Sequence, residues 1–232
     1  AQAVSILQTA ATAAGFGEIS FLMEPIAAAL DYERSIVRDR LVLVLDAGGG
    51  TTDCSMVRIG PSHARLQDRS RSVLGYAGDR TGGTDLDTRL ALRKIMPVFG
   101  KDSLLKSGLP IPNMPYWNAA TINDVNAQRD FFSERTRREI DLYLRQASEP
   151  EKVKHLKTIH EDRLTIPINR SAELAKKHLS ERDSVRLPLP DIDPELVIDI
   201  SRDDLRDAIQ QELNTFLSLM KEAESQAGER PD

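Results

Sequence analysis

A single cysteine, Cys54, stands among the 232 residues of this chain, and several other features that would point to a function are missing. One cysteine cannot form an intrachain disulfide, so a reducing compartment is the expectation. No apolar run approaches the roughly 18 residues that a membrane-spanning helix needs, and no signal-peptide pattern opens the chain. We therefore expect a cytoplasmic protein without a membrane partner.

An excess of basic residues is also missing, since 31 Lys and Arg face 36 Asp and Glu and the formal net charge is −5. Proteins that bind nucleic acid usually carry a basic patch, so no nucleic-acid partner is expected. The four histidines are scattered and lack cysteine partners, which argues against a zinc site. The remaining composition, with 40% hydrophobic and 29% charged residues, is typical of a globular protein of one large or two modest domains.

The most informative segment is LVLVLDAGGGTTDCSMVRIG, residues 41–60. Its apolar start, 41–45, predicts a strand buried on both faces, and a second strand follows the three glycines at 48–50. Glycines let a turn approach a ligand closely, and the amide groups of such a turn can bind phosphate oxygens. Asp46 and Asp53 flank the turn, and carboxylates beside phosphate suit Mg²⁺. The segment therefore favours a nucleotide–magnesium site.

A flexible hairpin without a ligand is the alternative interpretation of the same residues. A two-residue hairpin turn, however, does not need three glycines bracketed by acids and threonines. A P-loop is excluded because no Gly-Lys-Ser/Thr follows the glycines. A dinucleotide-binding fold is excluded as well, since it needs a helix after its glycines and this chain continues as a strand.

A second glycine turn occurs in GDRTGGTDLDTRLALRKI, where Gly82 and Gly83 stand directly before a predicted helix. Thr84 or Asp85 would cap that helix. A glycine pair at a helix start favours phosphate binding, but many proteins use the same residues only to begin a helix. This segment is therefore a weak indication when taken alone.

The coarse pattern of the other segments is mainly helical. Helical spacing predicts one long helix at 124–147 and another at 169–180. Ser201 would cap a helix at about 203–224. A short apolar run at 19–23 predicts a strand.

Three segments in fixed order, MEPIAAALDYE, LDAGGGTTDCSMV and GDRTGGTDLDTRL, resemble the nucleotide-binding domain of DnaK-type heat-shock chaperones. A fourth, SAELAKKHLS, is similar to the family's adenosine-contacting helix. The wider relatives are the actin-like and sugar-kinase ATPases. Because the stretch from Leu90 to Ser171 is longer than its counterpart in an ordinary DnaK-type domain, the shorter bacterial relatives of YegD type are the nearer resemblance. The likeness does not extend over residues 96–165.

The resemblance implies an α/β fold, namely a ribonuclease-H-like, actin-type ATPase lobe with a mixed sheet, flanking helices and an α-rich upper subdomain. Residues 1–38 would be the tail of the first lobe. Residues 39–90 and 194–232 would form the base of the second lobe, and 91–193 its enlarged upper part. We therefore expect the chain to be a piece of a longer protein. The family's N-terminal phosphate loop and γ-phosphate lysine have no counterpart in it.

The resemblance also implies individual roles. Its hydrolytic centre would comprise Glu24, Asp46, Thr51 and Asp53, with the two aspartates holding hydrated Mg²⁺ through water. The expected nucleotide-binding residues are Gly48, Gly49, Thr51, Gly83, Glu173, Lys176, Lys177 and Ser180. Gly50, the third glycine of the turn, is added to them. The last four residues of that list could also be an exposed helix face with an ordinary Glu173–Lys177 pair. At Met23, Ile26, Thr52 and Thr84 this chain departs from the residues that are commonest in the family.

Three functional hypotheses remain open at this point. The first is a chaperone-like ATPase that binds ATP or ADP with Mg²⁺ and contacts protein clients or co-chaperones. This chain would be a part of it and would be inactive as an ATPase on its own. The second is a non-catalytic, nucleotide-gated binding module. The third, a filament-forming or sugar-kinase relative, is less favoured because sugar kinases are not expected to contain the MEPIAAAL-like segment.

Overall fold

The computed structural model describes residues 2–232 as helices connected to two small sheets. The helices are α1 (Gln2–Ala13), α2 (Glu24–Glu33), α3 (Gly83–Leu90), α4 (Met114–Ala120), α5 (Val125–Phe131), α6 (Glu134–Gln146), α7 (Pro150–Glu161), α8 (Thr165–Glu181), α9 (Arg202–Ala208) and α10 (Gln210–Ala227). The strands are β1 (Arg40–Ala47), β2 (Thr52–Ile59), β3 (Val73–Asp79), β4 (Ser184–Pro188) and β5 (Val197–Ser201). A π-helical turn at Ala91–Ile95 continues α3.

The chain divides into two compact units. The first unit comprises residues up to Ala47, then Thr52–Asp79 and Phe216–Asp232. The second comprises Gly48–Thr51 and Arg80–Thr215.

The sheet of the first unit consists of β1, β2 and β3, antiparallel and in that order. Side chains alternate between its faces, so each strand can contact a helix on either side. On one face Ile26 and Ala29 of α2 pack over Val57 and Ile59 of β2. On the other face Leu219 and Ala223 of α10 pack over Leu41, Cys54, Met56 and Ala77 of the sheet. The only cysteine is therefore a buried core residue.

Gly75 in β3 allows α10 to approach the sheet. A Cβ atom at this position would lie 2.0 Å from the carbonyl oxygen of Ala223, a backbone atom that cannot rotate away. The glycine is required by this close packing.

The second unit has one large core that joins α3 to β5. Its largest fully buried side chains are Leu90, Ile95, Met96, Phe99, Ile111, Tyr116, Phe131, Ile140 and Leu156. Strands β4 and β5 pair antiparallel and contribute Leu187, Ile198 and Ile200 to the same core. Residues from the stretch 96–165, over which the resemblance does not extend, are thus part of this core.

The strand predicted at 41–45 forms, but it is only partly buried. Leu41 is buried, the next three residues are half-buried, and Leu45 is 38% exposed. Both faces have apolar neighbours, as expected. Strand β1, however, is an edge strand of the described sheet and has a neighbouring strand on one side only, so its side chains are less covered. Both described sheets are antiparallel, whereas a mixed sheet was expected.

Two predicted elements are wrong in the described residues. Residues 19–23 have no regular secondary structure, and Phe21, Leu22 and Met23 are exposed. The helix predicted at 124–147 is two helices, because the Ser133 side chain accepts a hydrogen bond from the Thr136 amide and starts α6 anew.

The last two helical predictions fare differently. The helix predicted at 169–180 begins earlier, at Thr165, so Asn169 is a buried interior residue of α8. The predicted cap at Ser201 is confirmed, since its hydroxyl accepts from the Asp204 amide at 3.1 Å. A turn at Ile209 then separates α9 from α10.

In residues 2–232, no helix combines the length and apolar character needed to cross a bilayer.

A buried ion pair offers a test of the structure of the first unit. Both guanidinium ends of Arg69 donate to Glu33 at 2.8 Å, and the Gly60 amide donates to the same carboxylate at 2.8 Å. Glu33→Ala should therefore lower the free energy of unfolding by about 3 to 5 kcal/mol, because it leaves a buried arginine unpaired. Urea denaturation followed by circular dichroism measures this loss.

The matched control is Glu229→Ala, which removes an exposed partner of Arg58 in the same unit. Exposed ion pairs contribute little, so this variant should unfold at nearly the parent urea concentration. Equal effects of the two substitutions would contradict the structural role assigned to Glu33.

Candidate functional site

Backbone hydrogen bonds hold the two glycine turns of the second unit together. The amides of Gly83 and Thr84 donate to the carbonyls of Gly48 and Gly49, each at 2.8 Å. The first turn is closed by the Gly48 amide, which donates to the Thr51 carbonyl at 2.9 Å. Two segments separated by more than thirty residues of sequence therefore form one backbone surface.

Gly82 makes this contact sterically feasible. A Cβ atom at Gly82 would lie 2.6 Å from the carbonyl oxygen of Gly49. The Gly82 amide donates to the Asp85 carboxylate at 2.8 Å, which caps the start of α3. Of the two predicted capping residues, Thr84 and Asp85, it is Asp85 that caps the helix. It is also favourably placed, since a carboxylate stabilises a helix N-terminus.

Two amides of the first turn remain available for a ligand. Among the described residues, the N–H groups of Gly49 and Gly50 have no hydrogen-bond acceptor. Backbone amides that are free in a concave turn can bind an anion. The Gly48 and Gly83 amides are used within the protein, so their contribution is to shape the turn.

Lys176 connects helix α8 to these turns. Its ammonium group donates to the Gly83 carbonyl at 2.9 Å and pairs with Asp87 at 2.8 Å. Burial raises the pKa of Asp87, and the neighbouring ammonium opposes that rise. The lysine thus compensates a carboxylate that is largely removed from water.

A pocket of about 360 Å³ lies over this contact within the second unit. The glycine turns and α3 supply part of its wall, and α8 supplies a stripe of residues at helical spacing. The lining residues are Gly49, Gly83, Thr84, Asp87, Ile122, Ile166, Asn169, Arg170, Glu173 and Lys176. Asn169 is 3% exposed and its Oδ1 atom has no hydrogen-bond partner among the described residues. The wall of the pocket therefore combines glycine-turn backbone that suits phosphate with cationic and apolar side chains.

Two of the predicted nucleoside positions do not line this pocket. Lys177 pairs with Glu173 at 2.6 Å, and this ammonium lowers the pKa of the Glu173 carboxyl. The Ser180 hydroxyl donates to the Lys177 carbonyl at 2.6 Å. Lys177 and Ser180 are exposed on the same helix, and their nucleoside contacts stay a prediction.

The first unit contains a separate acidic pocket of about 230 Å³ at one end of its sheet. It is lined by Met23, Glu24, Pro25, Val44, Asp46, Asp53, Ser55 and Tyr76. Asp46 stands directly opposite Asp53 in the β1–β2 register, so both carboxylates project from one face. Like charges in this relation are destabilising unless a cation or another partner compensates them.

Tyr76 contacts one of these carboxylates directly. Its hydroxyl donates to Oδ1 of Asp53, and this hydrogen bond is the main cause that raises the pKa of Tyr76. The charges of Asp53 and Glu24 raise it further. Glu24 itself begins α2, where the helix N-terminus stabilises its negative charge.

The donor set of the acidic pocket fits hydrated magnesium. Carboxylate oxygens suit Mg²⁺, which retains several waters and often takes only one or two carboxylates from a protein. In residues 2–232, no group of three or more Asp, Glu, His or Cys side chains could hold a metal directly.

The structure brings the predicted residues together in two sets, one in each unit. Glu24, Asp46 and Asp53 share the acidic pocket, while Gly49, Gly83, Glu173 and Lys176 share the larger one. Gly48, Gly50 and Thr51 belong to the turn itself.

Several lining residues were not expected from the sequence. The four-residue and three-residue spacing of Ile166, Arg170, Glu173 and Lys176 on one helix face could have indicated part of the stripe. Tyr76 could have been found only from the strand register, because it lies 23 residues from Asp53 in sequence.

Comparison with known proteins adds an independent line of support. A family model described as Hsp70 protein matches residues 2–104. The chaperone protein HscA homolog of Vibrio parahaemolyticus is 33% identical over 136 residues, which are 58% of this chain and 19% of that protein. The HscA homolog of Vibrio campbellii is 32% identical with the same coverage. The mitochondrial heat shock 70-related protein 1 of Leishmania major is 34% identical over 101 residues, 37% of this chain and 16% of that protein.

Residues 2–104 therefore match the Hsp70 family, and the resemblance of this part of the chain to an Hsp70-type nucleotide-binding domain is confirmed. The helices and small antiparallel sheets are consistent with such a domain. The match includes the first three resemblance segments and ends before SAELAKKHLS. The chain covers 19% of the length of the HscA homologs it matches. The narrower likeness to YegD-type proteins stays a prediction.

Lys176 provides a test of the glycine-turn contact. Lys176→Met should lower the free energy of unfolding by about 3 kcal/mol near neutral pH, because it leaves Asp87 buried without its cation. The pKa of Asp87, already raised in the folded state, should rise further. The loss should therefore grow from acid to neutral pH, as the pH rises through the raised pKa of Asp87, and should shrink in acid, where this carboxyl is protonated in the folded parent and the folded variant alike.

Urea denaturation of both proteins across this pH range measures the difference. Lys177→Met is the matched control, since it removes an exposed ammonium one position along the same helix and should change stability little. A loss for Lys176→Met that is the same at every pH would show that Asp87 is not the group involved.

Proposed function

We propose that this chain is the nucleotide-binding part of a chaperone-type ATPase, which binds ATP or ADP with Mg²⁺ and hydrolyses ATP in the intact protein. The proposal includes the actin-type, ribonuclease-H-like lobe and the subdomain boundaries inferred from the resemblance. It also includes a cytoplasmic location and protein clients or co-chaperones as partners. The chain alone, which shows no counterpart of the family's first-lobe phosphate contacts, would bind nucleotide weakly and turn it over poorly.

The observation that carries the proposal is the backbone contact between the two glycine turns. It leaves the Gly49 and Gly50 amides free and brings Lys176 to Gly83. An arrangement of free amides beside a lysine suits the phosphate groups of a nucleotide. Glu173, on the same face of α8, could accept hydrogen bonds from ribose hydroxyls.

In the proposal, Asp46 and Asp53 hold hydrated Mg²⁺ and orient its waters. The pair of facing carboxylates supports this role, since a cation would reduce their repulsion. The bound metal would neutralise phosphate charge. Transfer of a phosphoryl group to water depends mainly on positioning and on electrostatic stabilisation, so little covalent chemistry is asked of the protein.

Thr51 and Glu24 would orient the attacking water. Thr51 ends the glycine turn and is exposed, and Glu24 lines the acidic pocket. Neither residue needs to form a bond to the substrate. Their proposed contribution is hydrogen bonding at a defined place.

A non-catalytic, nucleotide-gated binding module is the second candidate. What favours it is the enlarged helical region of the second unit, which extends the core far beyond the residues that the family model matches. Nucleotide binding at the glycine turns could then bias a partner surface without hydrolysis.

Two glycine variants test nucleotide binding without disturbing the fold. A Cβ at Gly83 would lie 3.5 Å from its nearest neighbours and one at Gly49 would lie 3.8 Å from Thr84 Oγ1, which are ordinary contacts. Gly83→Ala and Gly49→Ala should therefore fold. Each methyl group would nevertheless occupy the wall where phosphate is proposed, so ADP affinity should fall about tenfold or more.

Isothermal titration of the chain with ADP and Mg²⁺ measures this affinity. Gly17→Ala is the control, because its Cβ would meet nothing within 4 Å. Absence of ADP binding at millimolar concentration, or equal affinity in all four proteins, would overturn the proposal.

Hydrolysis is tested separately in the intact protein. Single-turnover ATP hydrolysis should slow strongly in Thr51→Ala and Asp53→Asn, because both remove groups proposed to position water or metal. If ADP still binds but neither substitution changes the hydrolysis rate, the enzymatic part fails and the binding module is the better assignment.

A further inference from the structure

Three residues of β2 and β3 form a small arrangement on one face of the first unit's sheet. Asp53 stands opposite Gly78, and Ser55 stands opposite Tyr76. Tyr76 is therefore the diagonal neighbour of Asp53, a relation that an aromatic side chain can span. Its hydroxyl uses that reach to donate to Oδ1 of Asp53.

Gly78 provides the space in which the two groups meet. A Cβ atom at this position would lie 2.6 Å from Asp53 Oδ1 and 3.0 Å from the Tyr76 hydroxyl. The backbone of Gly78 does not have a positive φ, so its conformation does not demand glycine. The missing side chain matters here because it would displace the hydrogen bond.

Tyr76 is not held in place as a core residue. It is 51% exposed and lines the acidic pocket with Glu24 and Asp46. A large aromatic ring that remains half in water gains less from burial than a core residue does. Its described side-chain hydrogen bond goes to Asp53.

We infer that Tyr76 is a positioning residue for Asp53: its hydroxyl, seated over Gly78, holds Oδ1 and leaves Oδ2 for the hydrated Mg²⁺ that Asp46 and Asp53 would bind. Oδ2 has no hydrogen bond or ion pair with the described residues and is free for that role. The inference rests on the proposed function.

The physical reason is the rotational freedom of an exposed carboxylate. Without a partner, the Asp53 side chain can exchange between rotamers and between its two oxygens. A hydrogen bond to one oxygen removes that freedom before the metal binds. Outer partners of this kind commonly change metal affinity by about 10- to 100-fold when they are removed.

Two substitutions disturb the arrangement in different ways. Tyr76→Phe removes only the hydroxyl. Gly78→Ala keeps both the hydroxyl and the carboxylate but pushes them apart. Tyr32→Phe is the matched control, since Tyr32 belongs to the same unit, is 50% exposed and has no side-chain hydrogen bond with the described residues.

The readout is the affinity of the chain for Mn²⁺ in the presence of ADP, with Mn²⁺ replacing Mg²⁺ and free Mn²⁺ followed by electron paramagnetic resonance. Tyr76→Phe and Gly78→Ala should each bind Mn²⁺ about tenfold more weakly than the parent chain. Tyr32→Phe should match the parent, and Asp53→Asn should lose most binding. Circular dichroism melts check that all variants are folded.

A second measurement uses the metal-free chain, so that the hydrogen bond is tested without any ligand. The ¹³C resonance of the Asp53 carboxyl should shift in Tyr76→Phe and in Gly78→Ala, and stay unchanged in Tyr32→Phe. An unchanged resonance in the first two variants would overturn the inference.

The outcomes separate this inference from the proposed function. If the parent binds Mn²⁺ with ADP and Asp53→Asn does not, but Tyr76→Phe binds as tightly as Tyr32→Phe, only the positioning role of Tyr76 fails. If the parent does not bind, or Asp53→Asn binds normally, the metal site fails and the inference fails with it.

Discussion

The contact between the two glycine turns is the interaction on which the candidate site depends. Two backbone hydrogen bonds join Gly83 and Thr84 to the turn at Gly48–Thr51. Neighbouring backbones approach this closely only where side chains are missing, and a Cβ at Gly82 would overlap the Gly49 carbonyl. The position of Lys176 follows from the same contact, because its ammonium group bonds to the Gly83 carbonyl. A side chain at Gly82 would therefore disrupt this wall of the pocket.

In the first unit, acidic side chains lie at the end of a sheet that is covered on both faces. Apolar residues of β1 and β2 pack against α2 on one side and α10 on the other. Toward the end of the α2-covered face, the alternation that gives Val42 and Val44 continues to Asp46. The same period that builds the core thus delivers the carboxylates, and α2 adds Glu24 from its first residue. The facing acids are destabilising, and the burial of apolar side chains in the core offsets this effect.

Much of this arrangement is local in sequence and could be predicted from it. The strand–turn–strand pattern, the helix after Gly83 and the cap at Ser201 follow from residue types within a few positions of each other. The break before α6 was missed because the Ser133 cap competes with an otherwise continuous helical pattern. The Tyr76 contact could not be predicted, because it depends on a pairing register that shifts between Met56 and Val57. One residue of slip would have turned Tyr76 to the other face.

The segment outside the family resemblance shapes the candidate site through shared packing. Ile122 and Ile166 line the pocket beside Glu173 and Lys176, although neither lies in a resemblance motif. Thr88 of α3 donates to the Ala120 carbonyl, and Asn169 of α8 donates to the Ala119 carbonyl, both at 3.3 Å. Helix α4 is therefore fixed to both walls of the pocket. Since close-packed cores transmit strain, a displacement of α4 should reach α3 and α8, which carry Gly83 and Lys176.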